Sequence, residues 1–237
     1  MSVTVSSNAI LSGLDHSASA ALASASQTIS LDRGELIAEA GEPAPFVFFP
    51  TQGVLSLVGT TSAGGTVELA VVGNEGVASV SAVLGRNLLP FRIVTQVPGR
   101  AVRIPTDVVA SMVNDCGDLH TRMLDYTQSV IAQVAQSAIC NRFHTAKQRL
   151  ARWLLMTADR ADTNELALTH EFISYMVGGP RSAVTEAAAD LRESGAIDYR
   201  RGLIVIRDAA KLQEQSCECY EILQADSMEM EKRFGTA

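Results

Sequence analysis

Thr169-His170-Glu171-Phe172-Ile173-Ser174-Tyr175-Met176-Val177-Gly178-Gly179-Pro180-Arg181-Ser182-Ala183-Val184-Thr185-Glu186 is the stretch on which the reading of this chain turns. Thr169 is a good N-cap. Phe172, Ile173 and Met176 then fall on one side of a short helix. Gly178 and Gly179 permit a sharp turn, and Pro180 suits the start of a second helix, where a missing amide hydrogen costs nothing. From Arg181 to Ser194 the apolar positions Val184, Ala188 and Leu191 recur at spacings of four and three, and Gly195 is a stop signal. Arg181, Ser182, Thr185 and Glu186 are left outward at the beginning of that helix. Two short helices joined by a tight turn, with small and polar residues at the start of the second, have the form that enters a major groove.

Ile197 to Ile206 reads as a β-hairpin turning at Arg201-Gly202. Arg200 and Arg201 at its tip are placed to meet phosphates beside the groove, which fixes position without reading sequence. Upstream, about Thr145 to Ala158 carries Ala146, Leu150, Trp153, Leu154 and Ala158 on one side of a helix. Between about Asp118 and Asn141 there is neither Gly nor Pro. There Leu119, Met123, Tyr126 and Val130 make an apolar seam, flanked by Leu124, Ile131, Val134 and Ala138. Such a seam packs either on its own domain or on a second copy. Asn141 to His144 make a hinge between the two helices.

The N-terminal half has another texture. Phe46 to Phe49, Val54 to Val58, Val67 to Val72, Phe91 to Val97 and Ala101 to Ile104 are β-prone runs punctuated by Gly41 with Pro43, Gly53, Gly64 with Gly65, Gly73, Gly85 and Pro98 with Gly99. Short, regular strands suggest a compact sandwich or barrel.

Composition sets the outer limits. The chain of 237 residues is 47% hydrophobic and 19% charged, which argues for a folded rather than a disordered protein. No apolar stretch is long enough for a bilayer span, and no export signal opens the sequence, so a soluble, cytoplasmic protein with no membrane partner is expected. Net charge is −7. Nevertheless residues 145–208 hold nine basic and nine acidic side chains, and the acidic excess lies outside them. Four cysteines, Cys116, Cys140, Cys217 and Cys219, do not resemble a secreted disulfide framework. Cys217-Glu218-Cys219 offers only half of a usual four-ligand set, so no metal site is expected. His16, His120, His144 and His170 are scattered, and no histidine lies between Gln27 and Pro105. That absence argues against a metal-dependent enzyme on a β-barrel, and no phosphate loop or nucleophile elbow is present. No catalytic residue is expected.

Leu168-Thr169-His170-Glu171-Phe172, Arg181-Ser182-Ala183-Val184-Thr185 and Tyr199-Arg200-Arg201-Gly202, in that order, resemble the helix, recognition helix and wing of the Crp/Fnr family of bacterial regulators. The resemblance runs from about Asn8 to Ile206. It implies an α+β protein: an antiparallel β-roll of the cyclic-nucleotide-binding type (a double-stranded β-helix), a long dimerisation helix and a C-terminal winged helix. The corresponding expected segments are 1–116, 117–142 and 143–208, followed by an acidic tail at 209–237. A homodimer on a palindromic double-stranded operator, acting through RNA polymerase, is the implied function, with the two recognition helices about 34 Å apart. Implied DNA contacts are Thr169, His170, Arg181, Ser182, Thr185, Glu186, Arg200 and Arg201. The implied dimer contacts are Leu119, Met123, Tyr126, Val130, Ile131 and Val134.

Two departures from the family pattern matter. Regulators that read the cyclic-AMP-receptor operator carry glutamate where this chain has Ser182 and arginine where it has Glu186, so a different operator is expected. Cyclic-nucleotide binders present Gly-Glu and then Arg-Ser or Arg-Thr. Here Gly73-Asn74-Glu75-Gly76-Val77 resembles the first element, but Leu89-Pro90-Phe91 stands where the second belongs. Tight cyclic-AMP binding is therefore not expected, since a buried phosphate needs a cationic partner. Glu75, Arg86 and Arg92 are the candidate effector contacts, although Arg86 and Arg92 read equally as a loop and a strand residue. The effector is left unnamed and no cofactor is expected. The rival reading is a ligand-binding adaptor whose helical part meets protein rather than DNA.

Overall fold

The structure, a computed structural model, describes residues 7–85, 87–115 and 117–234. It divides into two compact units, one of Met1–Leu57, Val72–Ile131 and Asp226–Ala237, the other of Val58–Val71 and Ala132–Ala225.

In the first unit Asp15 caps α1 (His16–Ala25), its carboxylate accepting from the amides of Ser17 and Ala18. The sheet that follows is built from β1 (Gln27–Leu31), β2 (Leu36–Ala38), β3 (Phe46–Thr60), β4 (Thr66–Val72) and β5 (Arg92–Pro105), in the order β1-β5-β3-β4 with β2 also on β5; the end of β3 and all of β4 but Val72 belong to the second unit. β1 runs antiparallel to β5 from Gln27 opposite Arg103 to Leu31 opposite Gly99. The sheet is antiparallel at β1 and β2, as the β-roll expectation requires.

The strand boundaries differ from those expected. Phe46–Phe49 and Val54–Val58 belong to one 15-residue strand, and the runs on either side of Pro98-Gly99 to one 14-residue strand. Gly53 and Gly99 are the reason. Gly53 has φ +84°, and a Cβ there would stand 2.6 Å from the Val97 carbonyl oxygen; a Cβ at Gly99 would run into the Gln52 carbonyl. These glycines let two long strands press together at backbone distance, so they mark a close approach rather than chain reversals. Val47, Phe49, Val54, Leu55, Leu57, Ile93 and Ile104 fill the interior, with Val109 of α2 (Thr106–Asn114) added to it. Asn8, fully buried, donates to the carbonyls of Pro50 and Gly76 at 2.8 Å each and so ties the start of the described chain to the roll.

α3 (Asp118–Phe143) is a 26-residue helix. Leu119, Met123, Tyr126 and Val130 are buried in the protomer itself, at 3%, 0%, 1% and 7% exposure. The seam expected to face a second copy is thus largely spent on the chain's own core; a Cβ on Gly76 would clash with the Tyr126 ring. Leu124, Ile131, Val134, Ile139 and Phe143 are the large apolar residues that remain exposed along the helix.

The acidic tail is not a loose appendage. α7 (Ala209–Glu214) and α8 (Cys219–Phe234) follow the hairpin, and α8 lies antiparallel to α3. Ser129 Oγ donates to Asp226 at 2.6 Å, Arg233 pairs with Asp125 at 3.0 Å, and Leu223 and Met230 are buried.

The second unit is built around α4 (Ala146–Ala161), which opens with a capping box between Thr145 and Gln148. β6 (Glu165–Leu166), α5 (His170–Val177), α6 (Arg181–Glu193), β7 (Ile197–Arg200) and β8 (Leu203–Ile206) follow, with a small antiparallel sheet in the order β6-β8-β7. Trp153, Leu150, Leu154, Ile173, Val184, Ala188, Leu191 and Ile204 make its core. Trp153 Nε1 donates to the buried Glu68 carboxylate at 2.8 Å. No helix among the described residues is long and apolar enough to cross a membrane.

Candidate nucleic-acid interface

α5 begins where the cap residue dictates, with Thr169 Oγ1 accepting from the Phe172 amide. It ends at Gly178 (φ +71°) and Gly179 (φ +144°), both outside the range that a residue with a side chain adopts comfortably. Arg149 of α4 clamps this turn, donating to the Gly178 carbonyl at 2.9 Å and to the Asn141 carbonyl at the hinge at 3.3 Å.

α6 starts after Pro180 with no side-chain cap, so its first amides stay open to a ligand. Val184, Ala187, Ala188 and Leu191 are buried, whereas Arg181, Ser182, Thr185, Glu186, Ala189 and Asp190 are exposed. The expected outward residues therefore form one face. Ala189 and Asp190 extend it by another turn, as their position seven or eight residues after Ser182 on a helix would have indicated.

His170 and Thr185 are held by each other as well as by the scaffold. The Thr185 hydroxyl donates to the Arg181 carbonyl at 2.9 Å, which leaves its oxygen to accept from His170 Nδ1 at 3.1 Å. The His170 ring stacks on Tyr199 of β7 at 4.2 Å, joining the first helix of the motif to the wing. Burial, and then the charge of Arg181, holds the His170 pKa below its ordinary value. Tyr199 is part of the wing motif in sequence, but its stacking partner is invisible there because 29 residues separate the two rings.

The wing turns as its residues predict. Arg200 pairs with Leu203 across the strands, and Arg201 (φ +48°) and Gly202 (φ +83°) both take the left-handed conformation that a two-residue hairpin loop demands. Arg200 and Arg201 are exposed. Asp198, one turn of strand away, gathers Arg200 at 3.2 Å, Arg207 at 3.4 Å and Arg192 at 3.7 Å. Desolvation pushes its pKa up, but the Tyr199 amide and these arginines outweigh it and hold the carboxyl below its usual value. Arg200 thus has a competitor for phosphate that Arg201 lacks among the described residues. Beside α6, a groove of about 420 Å³ is lined by Gly64 to Thr66 and by Glu171, Ser174, Tyr175, Gly179 and Arg181.

Two family models cover most of the chain: a cyclic nucleotide-binding domain over residues 28–116 and a Crp-like helix-turn-helix domain over residues 148–215. The chain belongs to the Crp/Fnr family of transcriptional regulators. It is 26% identical over 195 residues to the global nitrogen regulator of Synechocystis, a match covering 78% of this chain and 87% of that protein. It is 24% identical over 210 residues to the CRP-like cAMP-activated global transcriptional regulator of Mycobacterium tuberculosis, covering 86% and 94%. The structure of FixK2 from Bradyrhizobium japonicum matches with a TM-score of 0.69 at 17% identity, over 81% of this chain and 98% of that one. This Crp/Fnr protein is accordingly a DNA-binding regulator of transcription and not an enzyme.

In the roll of this Crp/Fnr regulator the candidate effector contacts do not converge on a cationic pocket. Glu75 accepts from the Gly73 amide at 3.1 Å within its own loop. Arg92 is paired with Glu39 at 2.6 Å, and Arg86 lies outside the described residues. Leu89 and Phe91, of the segment expected at the place of a phosphate-binding pair, are buried. The dimer candidates separate: Leu119, Met123, Tyr126 and Val130 are internal, and Ile131 and Val134 are exposed. The cysteines also depart from expectation. Cys217 and Cys219 meet Cys140 and His144 at the end of α3, so the half-set seen in sequence acquires two further donors from more than seventy residues upstream.

Proposed function

We propose that this regulator is a cytoplasmic homodimer that binds a palindromic operator in double-stranded DNA, inserting α6 into the major groove and laying the β7–β8 wing along the phosphates. Residues 1–116 form the sensing part, 117–142 the dimerisation helix, 143–208 the DNA-binding part and 209–237 a tail. Arg181 makes the base or phosphate contact that matters most, with Ser182, Thr185 and Glu186 setting the operator and Thr169, His170, Arg200 and Arg201 positioning the backbone. The observation that carries this reading is the single exposed face of Arg181, Ser182, Thr185 and Glu186 beside a two-residue arginine-tipped wing.

The second copy docks on the face of α3 that carries Leu124, Ile131 and Val134, because these large apolar residues are left exposed in the protomer. RNA polymerase is the protein partner through which the operator-bound dimer acts. The roll responds to an effector other than cyclic AMP, since Arg92, the described candidate for a phosphate contact, is already paired with Glu39. The M. tuberculosis relative is described as cAMP-activated. The Leu89-Pro90-Phe91 segment is what would separate the two.

Genome-wide capture of DNA by the purified protein, with and without Arg181→Ala and at two salt concentrations, tests this. A palindromic motif lost in the variant supports the reading. Binding that is weak, blind to sequence and unchanged in the variant hands the case to a protein-binding adaptor. Calorimetry showing micromolar or tighter cyclic-AMP binding would overturn the effector statement.

A further inference from the structure

The end of α3 and the start of α8 bring together four side chains of one chemistry. Cys140 lies in the last turn of α3, and His144 follows directly after the helix, its amide donating to the Cys140 carbonyl at 3.1 Å. Cys217 sits in the link between α7 and α8, and Cys219 is the first residue of α8. Their donor atoms, three Sγ and an imidazole nitrogen, all lie within 4.8 Å of one another. Cys140, Cys217 and Cys219 are buried at 0%, 4% and 0% exposure.

We propose that Cys140, His144, Cys217 and Cys219 bind one zinc(II) ion in a tetrahedral site that staples the C-terminal tail to the end of the long helix. Zinc–sulfur and zinc–nitrogen bonds of about 2.3 and about 2.0–2.1 Å give tetrahedral edges of about 3.8 Å between sulfurs and about 3.6 Å between sulfur and nitrogen. The Cys140 and Cys217 sulfurs stand 3.6 Å apart, and Cys219 Sγ lies 3.5 Å from His144 Nδ1. The longest pair closes to the ideal edge by about 1 Å of side-chain movement. Three thiolates and one imidazole are the ligand set zinc takes in closed structural sites, and soft thiolates disfavour magnesium or calcium. The spacing fits one ion. A 4Fe–4S cluster puts each ligand on a different iron and a 2Fe–2S cluster divides the four between two irons, so either needs ligands on different irons farther apart than these four donors stand.

The surroundings complete the design. His144 presents Nδ1 to Cys219, and its Nε2 faces the Glu218 carboxylate at 3.3 Å, the partner that fixes the tautomer and orientation of a ligating imidazole. Gln136 Nε2 donates to Cys219 Sγ at 3.1 Å, as suits a sulfur carrying negative charge.

The test uses the full-length protein purified under reducing conditions. Elemental analysis is expected to find one zinc per chain. After exchange, cobalt(II) should give the intense visible bands of a tetrahedral thiolate site together with sulfur-to-cobalt charge transfer. The pair Cys217→Ser and Cys219→Ser should lose the metal, and Cys116→Ser should keep it. Glu218→Gln, whose side chain is 66% exposed and whose folding is not at issue, should retain the ion with about 10–100-fold weaker affinity in chelator competition. Removing the metal should open the tail to limited proteolysis. A protein that takes up neither zinc nor cobalt with its thiols reduced overturns the proposal. So does iron with sulfide in place of zinc, or a full metal complement in the Cys217→Ser, Cys219→Ser variant.

Discussion

Arg181 and Arg92 each stand where a ligand's phosphate is expected, one on the recognition helix and one on the roll, and the two are placed in opposite ways. Arg181 is exposed at the first turn of α6, and among the described residues no carboxylate is paired with it. Arg92 is bound to Glu39 at 2.6 Å, an ion pair that raises the arginine's pKa and lowers the glutamate's through the hydrogen bond between them. An arginine left open is ready to recruit an anion; one already neutralised is part of the scaffold. The same residue type therefore argues for ligand binding in the second unit and against it in the first. Partners decide the matter, not residue identity.

The largest effect expected in the roll is steric. Gly76 faces the Tyr126 ring of α3 with no room for a Cβ, so Gly76→Ala should cost about 1–3 kcal/mol of stability in denaturant unfolding. Tyr126→Ala in the same chain should relieve much of that cost. An undisturbed midpoint in Gly76→Ala would mean the loop and helix are not packed as found. In the winged helix the corresponding substitution acts on binding. Arg181→Ala should weaken operator affinity by about 10- to 100-fold, the equivalent of a lost bidentate base contact, and leave the unfolding midpoint alone. Arg92→Ala should leave operator affinity unchanged. If both variants lost affinity alike, the contrast between the open and the neutralised arginine would fail. A smaller effect is expected at the wing: Arg201→Ala should weaken all DNA sequences about equally and reduce the slope of log affinity against log salt by about one. A change in which base pairs are preferred would place Arg201 in the groove instead.

The winged helix was legible because each of its signals is local. Thr169, Gly178-Gly179-Pro180, Gly195 and Arg201-Gly202 set boundaries by backbone conformation alone, and the structure puts the elements between them. The roll was legible in kind, but Gly53 and Gly99 misled as turn signals because sequence does not distinguish a bend from a close strand crossing. The seam of α3 was legible only as a buried face: Leu119, Met123, Tyr126 and Val130 have the right period for one, and period does not say whose core they join. Least legible were the tail and its cysteines. Cys140 and Cys217 are 77 positions apart and meet only because α8 turns back along α3. Glu39, whose pairing with Arg92 weakens the case for a phosphate site, is likewise 53 residues from its partner.

The smallest effect expected separates the halves by pH. His170 is held below its ordinary pKa by burial and by Arg181, and its ring is pinned between Thr185 and Tyr199. Above about pH 6.5 the ring is neutral whether the chain is folded or not, so the full stability is present there. As the pH falls through that value the unfolded chain takes up the proton first, and stability declines until the lower folded pKa is reached. The winged helix should therefore lose stability on acidification through a contribution that His170→Gln removes. Arg181→Ala should shrink the same contribution, because it deletes the charge that opposes protonation. Nuclear magnetic resonance titration of the His170 ring checks the sign directly. A pKa above the ordinary value, or one that falls when Arg181 is removed, would show that the ring faces a negative field, and Arg181 would not be the charge that governs it.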